Sequence, residues 1–298
     1  EYCKTNEIDL IHCHLPWAGF LGRLVHLRTS IPLIYTEHSL QEQYHIVTKL
    51  FNRWTYNFQT MALGVSRDST ISIKKNINPQ IKVSTLFNGV NTEAFQKNPE
   101  EVYKIKRNLG IPIDATVLGT VAVFRKPKRL VEWVKVFEAV SRKNNSIYGI
   151  IVGAGPLEES IKAEVKNLGL EQKLIFTGLQ TEIKPFLSSI DIFMMTSSYE
   201  GLPVALLEAM SMECAVVSTD AGGIKEVIRD QQDGLTCEVD KWEKLSDLCQ
   251  ILIDDPEKLE NYKKAARERV VDNFSLKRMV DELESIYKTL APQPPKGE

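Results

Sequence analysis

Short unbroken runs of apolar residues alternate along the chain with segments in which apolar residues recur at helical spacing. In the first third, these runs predict strands and the segments between them predict helices. The predicted strands are 8–14, 32–36, 62–65 and 82–86, and the predicted helices are 18–29, 41–60 and one that Ser66 caps. This alternation predicts a doubly wound α/β domain with a parallel sheet.

The same alternation returns in the second part of the chain. Its predicted strands are 116–124, 147–152, 173–177, 190–195 and 215–218, and its predicted helices are 130–142, 157–168, 182–189, 203–210 and 223–229. Residues 92–115 are polar and contain two prolines, which predicts a linker. We therefore predict a first domain at 1–105, a second domain at 106–274, an amphipathic last helix at 275–290 and a disordered tail at 291–298.

The stretch 186–212 combines a strand, a polar turn and a helix. The apolar run 190–195 predicts a strand that is buried on both faces, and Pro203 is expected at the first position of the helix. A helix that begins beyond the C-terminal end of a parallel strand directs free N–H groups and its positive dipole end at the crevice, which predicts an anion site. Glu200 and Glu208 flank this site. Because carboxylates repel anions, we expect Glu200 and Glu208 to bind hydroxyl groups instead. A ligand in which phosphates connect a sugar to a ribose would fit both the anion site and the two carboxylates.

The composition narrows the class of protein. Of 298 residues, 43% are hydrophobic and 26% charged, as in ordinary globular proteins, and a net charge of −2 argues against a general nucleic-acid-binding protein. The 5 cysteines form no CxxC pair, and no apolar stretch is long enough to span a bilayer, so we expect a cytoplasmic protein with reduced thiols. His12 and His14 flank Cys13, but on a strand they share one face while Cys13 takes the other, so we expect no metal site.

A series of motifs along residues 8–275 resembles the GT4 family of retaining glycosyltransferases, which have the GT-B architecture. The sequence EGLPVALLEAM holds Glu200 and Glu208 at the E-x7-E spacing of that family. The other matching motifs are Asn88–Asn91 with Phe95, Gly153–Pro156, Phe176–Gly178, Asp191, Gly222–Gly223 with Glu226, and Asp233–Gly234. Charged pairs at helical spacing are common, but motifs in register along most of the chain are specific.

The resemblance implies both a fold and an activity. The fold is α/β with GT-B architecture: two Rossmann-like domains, an active site in the cleft between them, and a last helix that crosses back to the first domain. The activity is transfer of a hexose from a nucleotide sugar to a glycan or lipid-linked acceptor, with retention of configuration and without metal or other cofactor. The family has further strands and a glycine-rich loop before the position of Glu1, so we expect that the native N-terminal segment is absent here.

The resemblance also assigns roles to the matching positions. His38, Lys128 and Glu200 are the expected catalytic residues, with Lys128 on the donor diphosphate. The expected donor-binding residues are Arg125, Gly153, Gly178, Gly201, Leu202, Val204, Ala205 and Glu208. His14 is expected on the acceptor side.

Two positions depart from the family pattern. Val123 stands where the family has a diphosphate-binding arginine, and Arg125, which would share a strand face with it, is the expected substitute. Glu213 replaces the glycine that follows the central helix, and a left-handed conformation there costs an L-residue about 1–2 kcal/mol. These departures keep open a non-catalytic nucleotide-sugar-binding subunit. A GT-B epimerase is a further alternative.

The segment 41–60 has two interpretations. It combines aromatic residues with basic ones, namely Tyr44, Phe51, Trp54, Tyr56 and Phe58 with Lys49 and Arg53. In the preferred interpretation the aromatic side chains pack on the first sheet. In the alternative they contact a lipid-linked acceptor at the membrane.

Overall fold

The computed structural model of the protein describes residues 1–291. Residues 292–298, most of the tail for which the sequence predicts disorder, lie outside the described part. The chain divides into two compact units. The first unit contains residues 1–89 and the C-terminal segment from Leu276 on, and the second unit contains residues 90–275.

The first unit is built on one parallel sheet. Its strands are β1 (Ile11–His14), β2 (Leu33–Glu37), β3 (Met61–Gly64) and β4 (Lys82–Thr85), hydrogen-bonded in that order. Its helices are α1 (Tyr2–Thr5), α2 (Pro16–Thr29), α3 (Ile46–Thr55) and α4 (Arg67–Asn76). Ser66 caps α4 as predicted, because its hydroxyl accepts the N–H of Ser69.

A C-terminal helix, Leu276–Leu290, packs on one face of this sheet. The contacting side chains are Met279, Leu283, Ile286, Tyr287 and Leu290 from the helix and Ile34, Met61, Leu63 and Leu86 from the sheet side. The prediction that the last helix returns to the first domain is therefore confirmed.

The helix predicted at 41–60 is shorter, since α3 extends only over Ile46–Thr55, and its apolar side faces outward instead of toward the sheet. A 3-10 turn, Gln41–Gln43, precedes α3, and the ring of His45 accepts the Val47 N–H at the start of α3. Of the aromatic side chains in this segment, Tyr56 is buried, whereas Phe51, Trp54 and Phe58 are exposed. The preferred interpretation, packing on the sheet, is wrong for these three, because α3 turns its polar side inward.

The second unit contains a six-stranded parallel sheet. Its strands are β5 (Thr116–Val121), β6 (Ile147–Val152), β7 (Leu174–Gly178), β8 (Ile192–Met195), β9 (Ala215–Thr219) and β10 (Leu235–Cys237), in the spatial order β10-β9-β8-β5-β6-β7. Its helices are α5 (Pro99–Asn108), α6 (Leu130–Ser141), α7 (Glu158–Asn167), α8 (Lys184–Ser189), α9 (Val204–Ser211), α10 (Ile224–Val227), α11 (Leu245–Ile253) and α12 (Pro256–Asn273). As predicted, β8 is buried along its whole length.

The predicted linker 92–115 contains α5. Asn98 caps this helix by accepting the Glu100 N–H, and the buried Lys106 donates from Nζ to the carbonyls of Ile113 and Ala115. These hydrogen bonds attach the segment to the second unit. That unit therefore begins at Val90, whereas the sequence analysis predicts a boundary between residues 105 and 106. Its polarity reflects an exposed amphipathic helix.

Besides α5, three elements of the second unit were not predicted, namely β10, α11 and α12. The last of them begins at Pro256, because Asp255 accepts the Lys258 N–H as an N-cap. The buried Lys263 then joins α12 to Asp191 over 2.9 Å. Within residues 1–291, no helix has the length and apolar character needed to cross a bilayer.

Candidate functional site

The candidate site lies where the strand order of the second sheet reverses. After β5 the chain adds β6 and β7 on one side, and β8, β9 and β10 then extend the other side. Loops that leave the carboxyl ends of two such strands diverge and form a crevice, which is where open α/β sheets bind ligands. The loop after β5 carries Lys128, in a 3-10 turn over Lys126–Lys128, and the loop after β8 carries Glu200.

Lys128 and Glu200 form a short ion pair. Lys128 Nζ lies 2.6 Å from Glu200 Oε1, and the Ser197 hydroxyl donates to the same oxygen over 2.6 Å. Glu200 is only 9% exposed. Its Oε2 has no hydrogen-bond partner among residues 1–291, so that oxygen can accept a hydrogen bond from a ligand.

Three further hydrogen bonds fix the two loops against each other. Thr196 Oγ1 shares its one proton between the carbonyls of Lys128 and Arg129, which lie 3.0 and 2.8 Å away. The Ser198 N–H donates to the Pro127 carbonyl over 2.8 Å. These bonds connect the loop that carries Lys128 to the loop that carries Glu200, and they therefore fix the position of the ion pair.

Gly222 and Gly223 hold the turn that carries Glu200. Gly222 has φ +54, and a Cβ there would lie 2.2 Å from the Glu200 carbonyl oxygen. The Gly223 N–H donates to that same oxygen over 3.3 Å. A side chain at position 222 would therefore displace the backbone of Glu200.

The helix α9 begins at this crevice. Pro203 is its N-cap with extended ψ, so the prediction that Pro203 occupies the first helical position is wrong by one residue. The N–H groups of Val204 and Ala205, the first two helical residues, have no carbonyl partner within the helix. Ala205 lines a small recess together with Lys128 and Ser197.

Glu208 lies one helical turn beyond Val204, on the same face of α9. It is half-buried, and burial raises the pKa of its carboxyl group. No side chain among residues 1–291 forms a hydrogen bond or ion pair with it. A desolvated carboxylate without a partner costs stability, which is the condition expected of a group that binds ligand hydroxyls.

The glycines expected at the donor site have structural roles. Gly153 has φ +127, and a Cβ there would lie 2.0 Å from the Ala122 carbonyl oxygen. Its N–H donates to the Gly178 carbonyl over 2.9 Å. The two glycines thus connect the ends of β6 and β7 and let the loop after β5 approach closely. Gly201 and Leu202 lie between Glu200 and α9, half-buried and buried respectively.

Arg125 is not placed as predicted. The strand β5 ends at Val121, and the Arg125 N–H donates to the Val123 carbonyl in a tight turn. The two residues therefore share no strand face, and the argument for Arg125 as a substitute fails on geometry. Both side chains are exposed.

The first unit brings His14 and His38 together. These residues end β1 and follow β2, which are neighbouring parallel strands, and His14 Nδ1 lies 2.9 Å from His38 Nε2. His12 is held by Tyr287 and Thr36, at 2.6 and 2.7 Å. Burial lowers the pKa of all three rings, that of His12 to about 4, so they are neutral at pH 7.

Among residues 1–291, no metal-binding arrangement surrounds these histidines. Cys13 points to the opposite face of β1, where a Cβ on Gly22 would lie 2.6 Å from its sulfur. Residues 1–291 contain no group of three or more His, Cys, Asp or Glu side chains arranged to hold a metal ion.

Sequence reasoning missed the residues that orient the site. Ser197 and Thr196 belong to the polar turn TSS after β8, whose position was a usable signal. Tyr287, the partner of His12, had no such signal, because it reaches β1 from the C-terminal helix at the far end of the chain.

Two family profiles match the chain. The profile of the family described as Glycosyl transferases group 1 matches residues 102–269. That of Glycosyltransferase Family 4 matches residues 1–94. Together they extend over most of both units.

Known proteins resemble the chain over nearly its whole length. N-acetyl-alpha-D-glucosaminyl L-malate synthase of Bacillus anthracis is 29% identical over 300 residues, covering 96% of this chain and 76% of that protein. UDP-Gal:alpha-D-GlcNAc-diphosphoundecaprenol alpha-1,3-galactosyltransferase of Escherichia coli is 24% identical over 299 residues, covering 95% of this chain and 76% of that protein.

Solved structures show the same fold. Anabaena Alr3699/HepE in complex with UDP and glucose has a TM-score of 0.89 at 18% identity, over 96% of this chain and 80% of that one. Sucrose-phosphate synthase from Thermosynechococcus elongatus has a TM-score of 0.87 at 18% identity, over 97% and 75%. The predicted fold class, two Rossmann-like α/β domains of GT-B architecture, is confirmed.

Proposed function

The chain belongs to the family of Glycosyl transferases group 1 and is a glycosyltransferase, and we propose that it transfers a hexose from a nucleotide diphosphate sugar with retention of configuration. We propose a glycan or lipid-linked acceptor, no metal or other cofactor, and a cytoplasmic site of action. The observation that carries this proposal is the combination, at one switch point, of Lys128, the N-terminus of α9 and the unpaired carboxylate of Glu208.

The donor diphosphate binds between Lys128 and the first turn of α9 in this proposal. The ammonium group of Lys128 has three protons, so it can donate to Glu200 and to a phosphate oxygen at the same time. The N–H groups of Val204 and Ala205 and the helix dipole favour the same negative charge. A charge-assisted hydrogen bond of this kind is worth about 1.5–3 kcal/mol.

The two carboxylates bind hydroxyl groups on either side of the diphosphate. Glu208 accepts from the ribose, which restores partners to its desolvated oxygens. The free Oε2 of Glu200 accepts from the sugar. The other residues to which we assign a donor-side role are Gly153, Gly178, Gly201 and Leu202, the glycines through backbone and loop geometry.

The reaction proposed needs no metal because Lys128 and the α9 N-terminus stabilise the departing diphosphate. The bond from the anomeric carbon to the phosphate oxygen breaks, and the acceptor oxygen bonds to the same face of that carbon. The departing phosphate oxygen takes the acceptor proton. We assign His38 a catalytic role and place His14 on the acceptor side. Both rings are neutral at pH 7, so they can hydrogen-bond sugar hydroxyls without adding charge.

Uridine diphosphate is the first nucleotide to test. It occurs in the names of a sequence relative and of a structural neighbour described above. We therefore propose a UDP-sugar as the donor and use UDP as the probe below.

A product analysis tests the proposed function. The protein is incubated with UDP-glucose, UDP-galactose or UDP-N-acetylglucosamine and an acceptor extract, with and without EDTA, and the anomeric proton of the product is examined by NMR. We expect UDP release with an α-linked product in both conditions. A β-linked product, or loss of activity in EDTA, would contradict retention or metal independence. Conversion of the donor without acceptor would favour an epimerase.

Val123 favours a second candidate function, binding without transfer. Its apolar, exposed side chain stands where the resemblance implies an arginine on the diphosphate. A chain that binds UDP-sugar but releases no UDP, with any acceptor fraction, would be a nucleotide-sugar-binding subunit. The variant Val123→Arg would then be expected to increase affinity for UDP.

A further inference from the structure

The helix α3 turns its apolar side outward. Its large hydrophobic residues recur at helical spacing and are all exposed, namely Ile46, Val47, Leu50, Phe51 and Trp54. Trp54 is 71% exposed. The only fully buried residue of α3 is the polar Asn52. An exposed amphipathic helix of a globular protein normally has the opposite orientation.

A buried arginine fixes this orientation. Arg23, in α2, is 1% exposed and donates from NH1 to Asn52 and Thr55, at 3.1 and 2.9 Å. Its Nε donates to Gln59 over 2.8 Å. Rotation of α3 to bury its apolar side would leave a buried guanidinium without these acceptors, which is strongly unfavourable. The outward apolar side is therefore part of the stable fold.

The helix α2 extends the same apolar surface. Its exposed residues Trp17, Leu21 and Leu24 lie on one helical face. The rings of Trp17 and Phe51 lie 6.2 Å apart, so the surfaces of α2 and α3 are continuous. We call this surface the α2–α3 face; its members are Trp17, Leu21, Leu24, Ile46, Val47, Leu50, Phe51 and Trp54.

The charged side chains of α2 and α3 have one sign. Neither α2 nor α3 contains an aspartate or glutamate. Arg28 follows Leu24 on the exposed side of α2, and Arg53 is exposed on α3 beside Trp54. Lys49 lies on the same side of α3 as Arg53 and donates to the Glu42 carbonyl. An apolar surface with tryptophans and a cationic margin matches an anionic bilayer surface.

We propose that the α2–α3 face binds the surface of an anionic lipid bilayer, with its apolar side chains at the level of the headgroups. A second copy of the chain fits less well, because self-association through this face would bring Arg28 and Arg53 of both copies together without an acidic partner on either helix. The proposal concerns a surface in the first unit. It is independent of the donor site proposed in the second unit.

Vesicle co-sedimentation with the full chain tests the proposal. Vesicles of phosphatidylglycerol and phosphatidylcholine are compared with phosphatidylcholine alone, at low and physiological salt. We expect binding to the anionic vesicles and a shift of tryptophan emission to shorter wavelength, because Trp17 and Trp54 leave water. The double variant Ile46→Ser/Trp54→Ser should reduce partitioning by about tenfold or more. Arg28→Gln/Arg53→Gln should reduce it by about fivefold per charge.

A matched control and a folding check complete the test. Tyr103→Ser removes an exposed aromatic residue from α5 in the second unit and should leave vesicle binding unchanged. The charge variant alters only exposed side chains, so it keeps the test valid if the serine variant unfolds. Absence of binding to anionic vesicles, or equal binding by all variants, would overturn the proposal. Dimers that the face variants abolish, without vesicle binding, would overturn it in favour of a second copy.

Discussion

Glu200 balances the charge of Lys128 before any donor is present. The two groups lie 2.6 Å apart, and Ser197 binds the same carboxylate oxygen. This arrangement positions the ammonium group, but the negative charge of Glu200 also repels an incoming diphosphate. In the proposed site, Glu200 therefore favours the sugar-transfer step at the expense of nucleotide affinity.

The variant Glu200→Gln should separate binding from transfer. We expect UDP to bind about fivefold more tightly, since the removed repulsion amounts to about 1 kcal/mol, while the transfer rate falls at least about tenfold. Calorimetry and initial rates measure the two effects. Glu171→Gln, which changes an exposed glutamate of the same unit, is the control. Weaker UDP binding by Glu200→Gln would contradict this role.

The buried Glu37 and the half-buried His12 make opposite contributions to the pH dependence of stability. Burial raises the pKa of Glu37 from 4.5 to about 7, although Tyr44 and Gln41 donate to its carboxylate. Between pH 4.5 and about 7, Glu37 is therefore protonated in the folded chain and ionised in the unfolded chain. The contribution of Glu37 to the free energy of unfolding consequently falls as pH rises. Burial lowers the pKa of His12 from 6.5 to about 4, so its contribution increases as pH rises.

The variant Glu37→Gln should remove the opposing contribution of Glu37, so that the effect of His12 on the free energy of unfolding can be measured. The free energy of unfolding should then rise with pH between 4 and 6.5 more steeply than in the unmodified chain, by about 3 kcal/mol in total. His12→Asn should have the reverse effect on the slope. Urea unfolding at several pH values measures both. Identical slopes in all three proteins would show that neither group titrates as described.

At the scale of elements, three helices end in the same motif with different residues. In α5, α7 and α9, the two N–H groups after the C-cap bond back to carbonyls of the last turn. The left-handed residue is Gly110 in α5 and Gly169 in α7, but Glu213, with φ +58, in α9. Glu213 thus adopts the left-handed conformation whose cost for an L-residue is about 1–2 kcal/mol. The strain lies at the C-terminal end of the helix whose N-terminus forms the candidate site.

Placing glycine at position 213 should raise the free energy of unfolding, and placing glutamate at position 169 should lower it. Glu213→Gly relieves about 1–2 kcal/mol of strain and loses part of that to the entropy of glycine, so we expect a gain of about 0.5–1 kcal/mol. Gly169→Glu, the matched control, should lose about 1–2 kcal/mol, since no atom crowds that position. Thermal unfolding of both variants measures the difference. A loss on Glu213→Gly would show that its contact with Arg267 outweighs the strain.

Elements were predictable where local pattern and burial agree. The run Ile192–Met195 is apolar throughout and is a buried strand, and Ser66 is a cap with its partner three residues on. The inward polar side of α3 was not predictable, because its partner Arg23 comes from another helix. The prediction that Val123 and Arg125 share a strand face was wrong, because no residue near them in the sequence indicates that β5 ends at Val121. In the candidate site, the family resemblance singled out Lys128 and Glu200 but gave no sign of their ion pair.

At the scale of the whole molecule, the two units should respond differently to nucleotide. The residues proposed to bind the diphosphate and ribose all belong to the second unit. At 100 times its dissociation constant, UDP should stabilise that unit by about 2.7 kcal/mol. Hydrogen exchange should therefore slow in residues 120–130 and 196–210. Equal slowing across the first sheet, or none at these loops, would contradict the placement.

The most direct measurement is calorimetric titration of UDP into the unmodified chain, Lys128→Met and Glu208→Gln, at pH 5 and pH 8. We expect each variant to bind UDP with a loss of about 1.5–3 kcal/mol, which is about tenfold or more in affinity. Protonation of the UDP phosphate should weaken binding to all three proteins as pH falls. Because the pKa of Glu208 is also raised, binding to the unmodified chain should weaken more than binding to Glu208→Gln. Unchanged UDP affinity in both variants would contradict the claim that the donor binds at the N-terminus of α9.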